Sequence, residues 1–361
     1  MKHTVFITGA AGYVGGMLVE RFAAREDIER IVGLDKEPFP ESLAGIEKLV
    51  YICANTADDS WQTEVASYQP DIIIHTAWHI REIYGNRART WKWNIEGSDN
   101  VFAFAFREPG VDRLIHFSTV ASYGAFPTNT LTDWYTEEDP FRKSEYLYAE
   151  EKRIAEEHLK EQYEAAKERD TEVDVSIIRP AAITGPRGRF MRIRFGLQAA
   201  LSGSLKGQKS FFYDLISAMV SWVPVTPGWL RQYVHEDDIA GIVERLAFGP
   251  EVKGYEAFNA APPGKAVLGP DMAKAVGKRV LKVAPWMVRI PFFFLWHLSR
   301  GTVPTAPGSW RGYSYPIGVH GDKVTKMLGY QYQYESFDAF YYTNGVYESF
   351  VPEDQRQHKD A

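Results

Sequence analysis

A chain of 361 residues can bury a sizeable core, as one large domain or two intimately joined ones. With 41 Lys and Arg against 47 Asp and Glu, a net charge of −6, there is no basic surplus for a nucleic-acid partner. Cys53 is the single cysteine, so no intrachain disulfide forms, which suits a reducing, cytoplasmic setting.

In chain order, the apolar run at residues 4–7 is too short for a secretory signal and reads as a first strand. It breaks into Thr8-Gly-Ala-Ala-Gly-Tyr-Val-Gly15 and then into the helical pattern of Met17, Leu18 and Phe22. Strand, glycine turn and helix together form a phosphate cradle. Gly9 allows the tight turn, Gly12 a close approach of backbone to a pyrophosphate, and Gly15 tight helix packing, with Tyr13 and Val14 opening the helix. A second strand ends at Asp35, placed to accept hydrogen bonds from an adenosine ribose and to repel a 2′-phosphate. That favours NAD over NADP, although the neighbouring Lys36 works the other way. A third strand, residues 48–53, leads to Asn55 and Thr56, where a polar side chain can meet the adenine edge.

The fourth strand, residues 71–77, is a continuous apolar run, as in a parallel sheet covered on both faces, and carries Thr76 and Ala77 at its end. His75 and His79 lack the helical spacing of a metal pair, and no metal is expected there. Residues 90–106 read as a helix with an aromatic stripe, Trp91, Trp93, Phe102, Phe104 and Phe106, suited to core or subunit interface. The fifth strand, residues 113–117, places Thr119 at the carboxyl end of a central strand. In the following helix Tyr148 and Lys152 lie four apart, on one helical face. There the lysine is expected to bring the tyrosine pKa down toward working pH. A sixth strand, residues 173–178, runs into Arg179, Pro180, Ala181 and Ala182.

Six strands alternating with helices predict an α/β, doubly wound parallel sheet. Beyond Pro186 the alternation loosens, and the chain is expected to return to the sheet twice, through residues 231–240 and 255–259. The expected division is a dinucleotide-binding domain over 1–186, completed by about 231–261. A smaller substrate lobe follows over 187–230 and 262–330, then a C-terminal segment over 331–361 that frays after Val351. The lobe is rich in aromatics, Phe211, Phe212, Trp222, Trp229, Trp286 and 292–296, which form either an apolar pocket or the lobe's own core. The most apolar stretch, 290–296, is far short of a membrane span of about 20 residues. It reads as a buried or pocket-lining helix, with an interfacial helix touching lipid as the alternative.

Taken together these residues resemble the extended short-chain dehydrogenase/reductases, which include nucleotide-sugar epimerases and dehydratases and the 3β-hydroxysteroid dehydrogenases. The glycine turn resembles the family's Thr-Gly-x-x-Gly-x-x-Gly, His75-Thr-Ala77 its His-x-Ala, and Asn94-Ile-Glu-Gly97 its Asn-Val-x-Gly helix start. Ser118 to Gly124 is similar to Ser-Ser-x-x-x-Tyr-Gly, and Tyr148 with Lys152 to Tyr-x-x-x-Lys; Arg179-Pro180 and Tyr233 to Asp238 match two further landmarks. The resemblance implies a Rossmann-type fold, an NAD cofactor held also by Pro180 and Ala181, a small-molecule substrate, and a homodimer paired through the helices at about 90–107 and 144–169. It implies hydride transfer in which Tyr148 moves the hydroxyl proton, Lys152 lowers the tyrosine pKa and holds the nicotinamide ribose, and Thr119 binds the substrate oxygen.

Several positions depart from the family. Val120-Ala121 stand where 4,6-dehydratases carry Asp-Glu, Ala182 where sugar-nucleotide enzymes carry Asn, and Asn55 where an aspartate often reads adenine. Arg231 falls where epimerases place a diphosphate-binding arginine. The expected function is an NAD-dependent alcohol dehydrogenase or ketone reductase, suited to a lipophilic substrate. A nucleotide-sugar 4-epimerase with tightly bound NAD is the second reading, and a non-catalytic NAD sensor or scaffold the third.

Overall fold

The computed structural model describes residues 2–185, 222–275 and 279–341. The expected features at Phe211, Phe212, the Trp222 side chain and the tail after Val351 lie outside the described residues. At the centre is a seven-stranded parallel sheet of β1 (His3–Thr8), β2 (Ile28–Asp35), β3 (Leu49–Cys53), β4 (Ile72–His75), β5 (Arg113–Phe117), β6 (Asp174–Pro180) and β7 (Tyr255–Ala260). Its order is β7-β6-β5-β4-β1-β2-β3, so the chain reverses direction across the sheet between β1 and β4. A crevice opens there at the carboxyl ends of the strands, the usual ligand position in open α/β sheets.

Alternation along the strands sorts the two cores. Val5, Ile7 and Ile31 face helices α1 (Tyr13–Ala23) and α4 (Glu236–Phe248) through Met17, Leu18, Phe22, Ile239 and Ile242. Phe6, Val32 and Ile73 face α2 (Gly97–Arg107) and α3 (Leu147–Lys167) through Val101, Phe102, Ala105 and Leu159. With both faces covered, the strands hold almost unbroken apolar runs.

Three expectations are corrected here. Among the described residues the chain returns to the sheet once, through β7; Tyr233–His235 pairs in parallel with Ala182–Thr184 in a separate two-stranded ladder. β7 takes the edge of β6 up to Pro180, which has no N–H to give, so Tyr233–His235 finds its partner only beyond it. The helix expected over 90–106 starts earlier, at Arg87, where the Asn86 side chain accepts from Arg89 N at 3.1 Å. It continues through a wide π turn at Lys92–Glu96 before α2, so Asn94 sits inside the wide turn and not at a helix start. The apolar stretch at 290–296 belongs to α5 (Pro285–Leu298), of which only Trp296 is buried. In the aromatic stripe, Phe102, Phe104 and Phe106 are core, whereas Trp91 is exposed. Beside the sheet, Val225, Trp229, Tyr233, Val267, Ala273 and Ala339 pack as a small separate cluster.

Candidate active site

The glycine turn builds the floor of the crevice. Gly9 adopts a φ of +75°, open to glycine at no steric cost, and Gly12 N donates to Gly9 O at 2.9 Å. A Cβ on Gly15 would stand 2.1 Å from Gly9 O, so only glycine lets α1 start this close to the turn. The helix opens behind Gly12 with no side-chain cap, leaving its positive end to the crevice. Above the turn is a cleft of about 680 Å³. Gly9, Gly12, Tyr13, Val14, Gly15, Asp35, Lys36, Asn55, Thr56, Thr76, Ala77, Thr119, Tyr148, Pro180, Ala181, Ala182 and Arg231 all line it.

Asp35 is oriented by the backbone, accepting from Ala11 N at 3.1 Å and Glu37 N at 3.0 Å. Lys36 is drawn into an ion pair with Glu37 and stands 5.0 Å over the Trp93 ring. Asn55 accepts from Ala57 N at 3.0 Å, which fixes the loop and holds its amide at the cleft wall. Thr76 Oγ1 donates to Thr8 O at 2.7 Å and locks the β4 end against the glycine turn.

At the other end stand Thr119 and Tyr148. Thr119 caps a short 3₁₀ turn, its hydroxyl accepting from Ala121 N at 3.1 Å, and is nearly buried. The Tyr148 pKa is corrected from the expectation. Burial raises it above the ordinary phenol value, and the pull downward comes from a hydrogen bond with Thr119. Lys152 is likewise corrected, because it does not line the cleft. Its ammonium donates to Phe117 O and lies 3.5 Å above the Trp78 ring, and burial drives its pKa well below the usual lysine value. Desolvation thus pushes both groups toward their neutral forms.

Sequence reading missed four contributors. Trp78 and Trp93 line the cleft, as does Tyr146, whose ring centroid is 5.7 Å from that of Tyr148. Glu151, beside Lys152, is the fourth: buried, with Oε2 accepting from Asn94 Nδ2 at 2.7 Å and Oε1 without a partner. Its pKa is pushed up to about 7, first by burial and then by repulsion from Glu82. The only available signal was an unusual carboxylate on the helix face that carries Tyr148. His75 is structural, holding Thr8 Oγ1 at 2.7 Å and Ser98 Oγ at 2.9 Å, and its pKa falls to about 3 through burial. Among the described residues no group of three His, Cys, Asp or Glu is placed to hold a metal.

A second cavity of about 270 Å³ adjoins the first and shares Ile80, Ala121, Tyr146, Arg231, Gly312 and Ile317 with it. Arg231 stands at the junction, 5.4 Å from the Tyr313 ring centroid, with Nη2 3.4 Å from Gly312 O.

A glycine cradle at a helix start, an oriented acid on β2 and a hydroxyl pair at the far end of one crevice define an extended short-chain dehydrogenase/reductase with a dinucleotide cleft. The comparisons make this specific. Residues 5–261 match the NAD dependent epimerase/dehydratase family, and the chain belongs to that family. It is 30% identical over 204 residues to N-acetyl-α-D-glucosaminyl-diphospho-ditrans,octacis-undecaprenol 4-epimerase of Escherichia coli O157:H7, a match covering 52% of this chain and 51% of that relative. The match thus spans about half of the relative's length. An uncharacterized protein of Mycobacterium tuberculosis is 22% identical over 93% of this chain and 82% of its own. Among solved structures, the Bordetella bronchiseptica enzyme WbmG in complex with NAD and UDP superposes with a TM-score of 0.65 at 21% identity, covering 94% of this chain and 92% of that one. The UDP-glucose 4-epimerase of Thermus thermophilus, in complex with NAD, gives a TM-score of 0.64 at 18% identity over 93% and 96% of the two chains.

The residues fit the family's NAD. The cradle leaves no room for a side chain at Gly9 or Gly15, and the Asp35 carboxylate is held by two backbone N–H groups at the cleft wall.

Proposed function

We propose that this chain is an oxidoreductase that moves a hydride between nicotinamide and a secondary alcohol or ketone carbon. The observation that carries the reading is that Thr119 and Tyr148 share one cleft with the glycine turn and Asp35. NAD, when bound, supplies the hydride acceptor or donor; the protein supplies the rest. The Gly9 to Gly15 turn and the start of α1 hold the phosphates, and Asp35 takes the adenosine ribose hydroxyls. Thr119 hydrogen-bonds the reacting oxygen, and Tyr148 gives it a proton or takes one. Burial holds the Tyr148 hydroxyl in its protonated form, ready to give its proton to a nascent alkoxide. Lys152 keeps a buried amine one turn below the tyrosine, anchored on Phe117 O. Val120 and Ala121 after Thr119 offer no acid and base for eliminating water.

A second reading, a 4-epimerase acting on a sugar joined to a diphosphate, is favoured by Arg231, the cation at the junction of the two cavities. Relatives that act on UDP-sugars or on a polyprenyl-diphosphate sugar support it. The apolar walls of the cavities suit either a lipophilic ketone or the tail of such a conjugate. A pure sensor has no use for Thr119 and Tyr148.

Tyr148→Phe tests the mechanism: turnover is expected to be lost while NAD affinity stays nearly unchanged, and retained turnover would sink it. The two enzymes separate by their nucleotide. NAD released only on denaturation, with thermal stabilisation by UDP-sugars, selects the epimerase; freely exchanging NAD, with stabilisation by aryl ketones or steroids, selects the dehydrogenase.

A further inference from the structure

Among the described residues, helix α5 carries an apolar face that no neighbouring element covers. Trp286, Met287, Ile290, Phe293, Phe294 and Leu298 follow one another at helical spacing and are 42–81% exposed. The opposite face is the packed one: Phe292 meets the Tyr313 ring at 5.2 Å, and Trp296 is buried against Tyr84 at 5.5 Å. At 14 residues the helix reaches about 21 Å, short of the roughly 30 Å hydrocarbon core of a bilayer, so it does not span one.

Two further observations choose the occupant. From residue 272 to 321 the sequence has no Asp or Glu and seven Lys or Arg, in a chain whose net charge is −6. Lys282, Arg289 and Arg300, before, on and after the helix, are exposed, which complements an anionic surface. A second copy of the chain docked through this face across a two-fold axis would bring these like charges together. The helix also borders the second cavity, because Trp296, on its inner side, lines that cavity together with Arg231 and Tyr146.

We propose that α5 lies in the interface of an anionic phospholipid bilayer, apolar face inward and basic rim on the headgroups, with the second cavity opening beside the membrane. This is the geometry of a monotopic amphipathic helix, in which buried aromatic area and attraction to anionic lipid act together. The docking is independent of which reaction the catalytic cleft performs.

The test is co-sedimentation of the full chain with vesicles of phosphatidylcholine alone and of phosphatidylcholine mixed in equal parts with phosphatidylglycerol. Binding to the mixed vesicles is expected to be at least about tenfold stronger, and to weaken with added salt. The double variant Phe293→Ser/Phe294→Ser, with its NAD binding checked as a control on folding, is expected to lose about tenfold or more in vesicle affinity. Arg289→Glu/Arg300→Glu, which keeps the apolar face, is expected to lose the preference for the anionic mixture. Absence of binding to either vesicle overturns the proposal. So does a Phe293→Ser/Phe294→Ser protein that binds as well as the parent, or an oligomer that this variant dissociates while neither protein binds vesicles.

Discussion

Replacing Glu151 by Gln removes one titrating group from the interior while keeping an acceptor oxygen for Asn94. Burial, with help from the charge of Glu82, holds this carboxyl at about 7 against the downward pull of the Asn94 hydrogen bond and, after it, of Lys152 and Arg87. Its ordinary value is 4.5. A raised carboxyl pKa means that the folded chain binds the proton more tightly than the unfolded one. The group's contribution to stability is therefore fully present below about pH 4.5 and fades as pH rises through about 7. A shift of this size corresponds to at most about 3 kcal/mol across that window. Urea unfolding of the parent and Glu151→Gln at several pH values reads the difference directly, and other titrating groups, such as Asp238, cancel in the comparison. The variant is expected to be the more stable protein at about pH 8, and the gap should narrow or reverse toward about pH 5. A stability difference constant over that range would refute the assignment of a buried, neutral Glu151 beside the active site.

Two further outcomes follow from the packing. Gly15→Ala places a Cβ 2.1 Å from Gly9 O and 2.6 Å from Gly9 C, both backbone atoms that cannot turn aside. NAD affinity measured by calorimetry should fall by at least about tenfold, whereas Gly16→Ala, whose Cβ meets only Ala10 O at 3.3 Å, should change it little. Arg179 bonds Glu156 at 2.6 Å, Tyr123 Oη at 2.9 Å and Glu137 O at 3.2 Å, in surroundings that almost exclude water. Glu156→Ala strands this buried cation and should cost about 3–5 kcal/mol in chemical denaturation. Glu156→Met/Arg179→Met should recover much of that loss, and failure to do so would show that the arginine is needed for more than its partner.

What could be read from the sequence was what local sequence determines. Gly9, Gly12 and Gly15 act within seven residues, where steric exclusion by one carbonyl decides the residue type, so the cradle was legible and its strand and helix came with it. Asp35 and Thr119 follow from their position at strand ends. Lys152 shows where this reasoning stops. Spacing by four puts it on the face of Tyr148, but its long side chain turns to Phe117 O, 35 residues away, and over the Trp78 ring, so the shared face carried no shared electrostatics. Glu151 with Glu82, and Tyr233–His235 with Ala182–Thr184, are likewise pairings across long chain separations that no periodicity records.

Helix α5 was left with two readings for another reason. Apolar composition reports how strongly a segment avoids water, and a buried helix and one at a lipid interface avoid it equally. What separates them is which faces the rest of the fold has covered. Here Val288, Phe292, Leu295 and Trp296 account for the packed side, and the exposed side is still as apolar as a core. That surplus of exposed aromatics, with exposed cations before, on and after the helix in an acidic protein, is a property of the assembled surface and appears only once the sheet and its loops have taken their places.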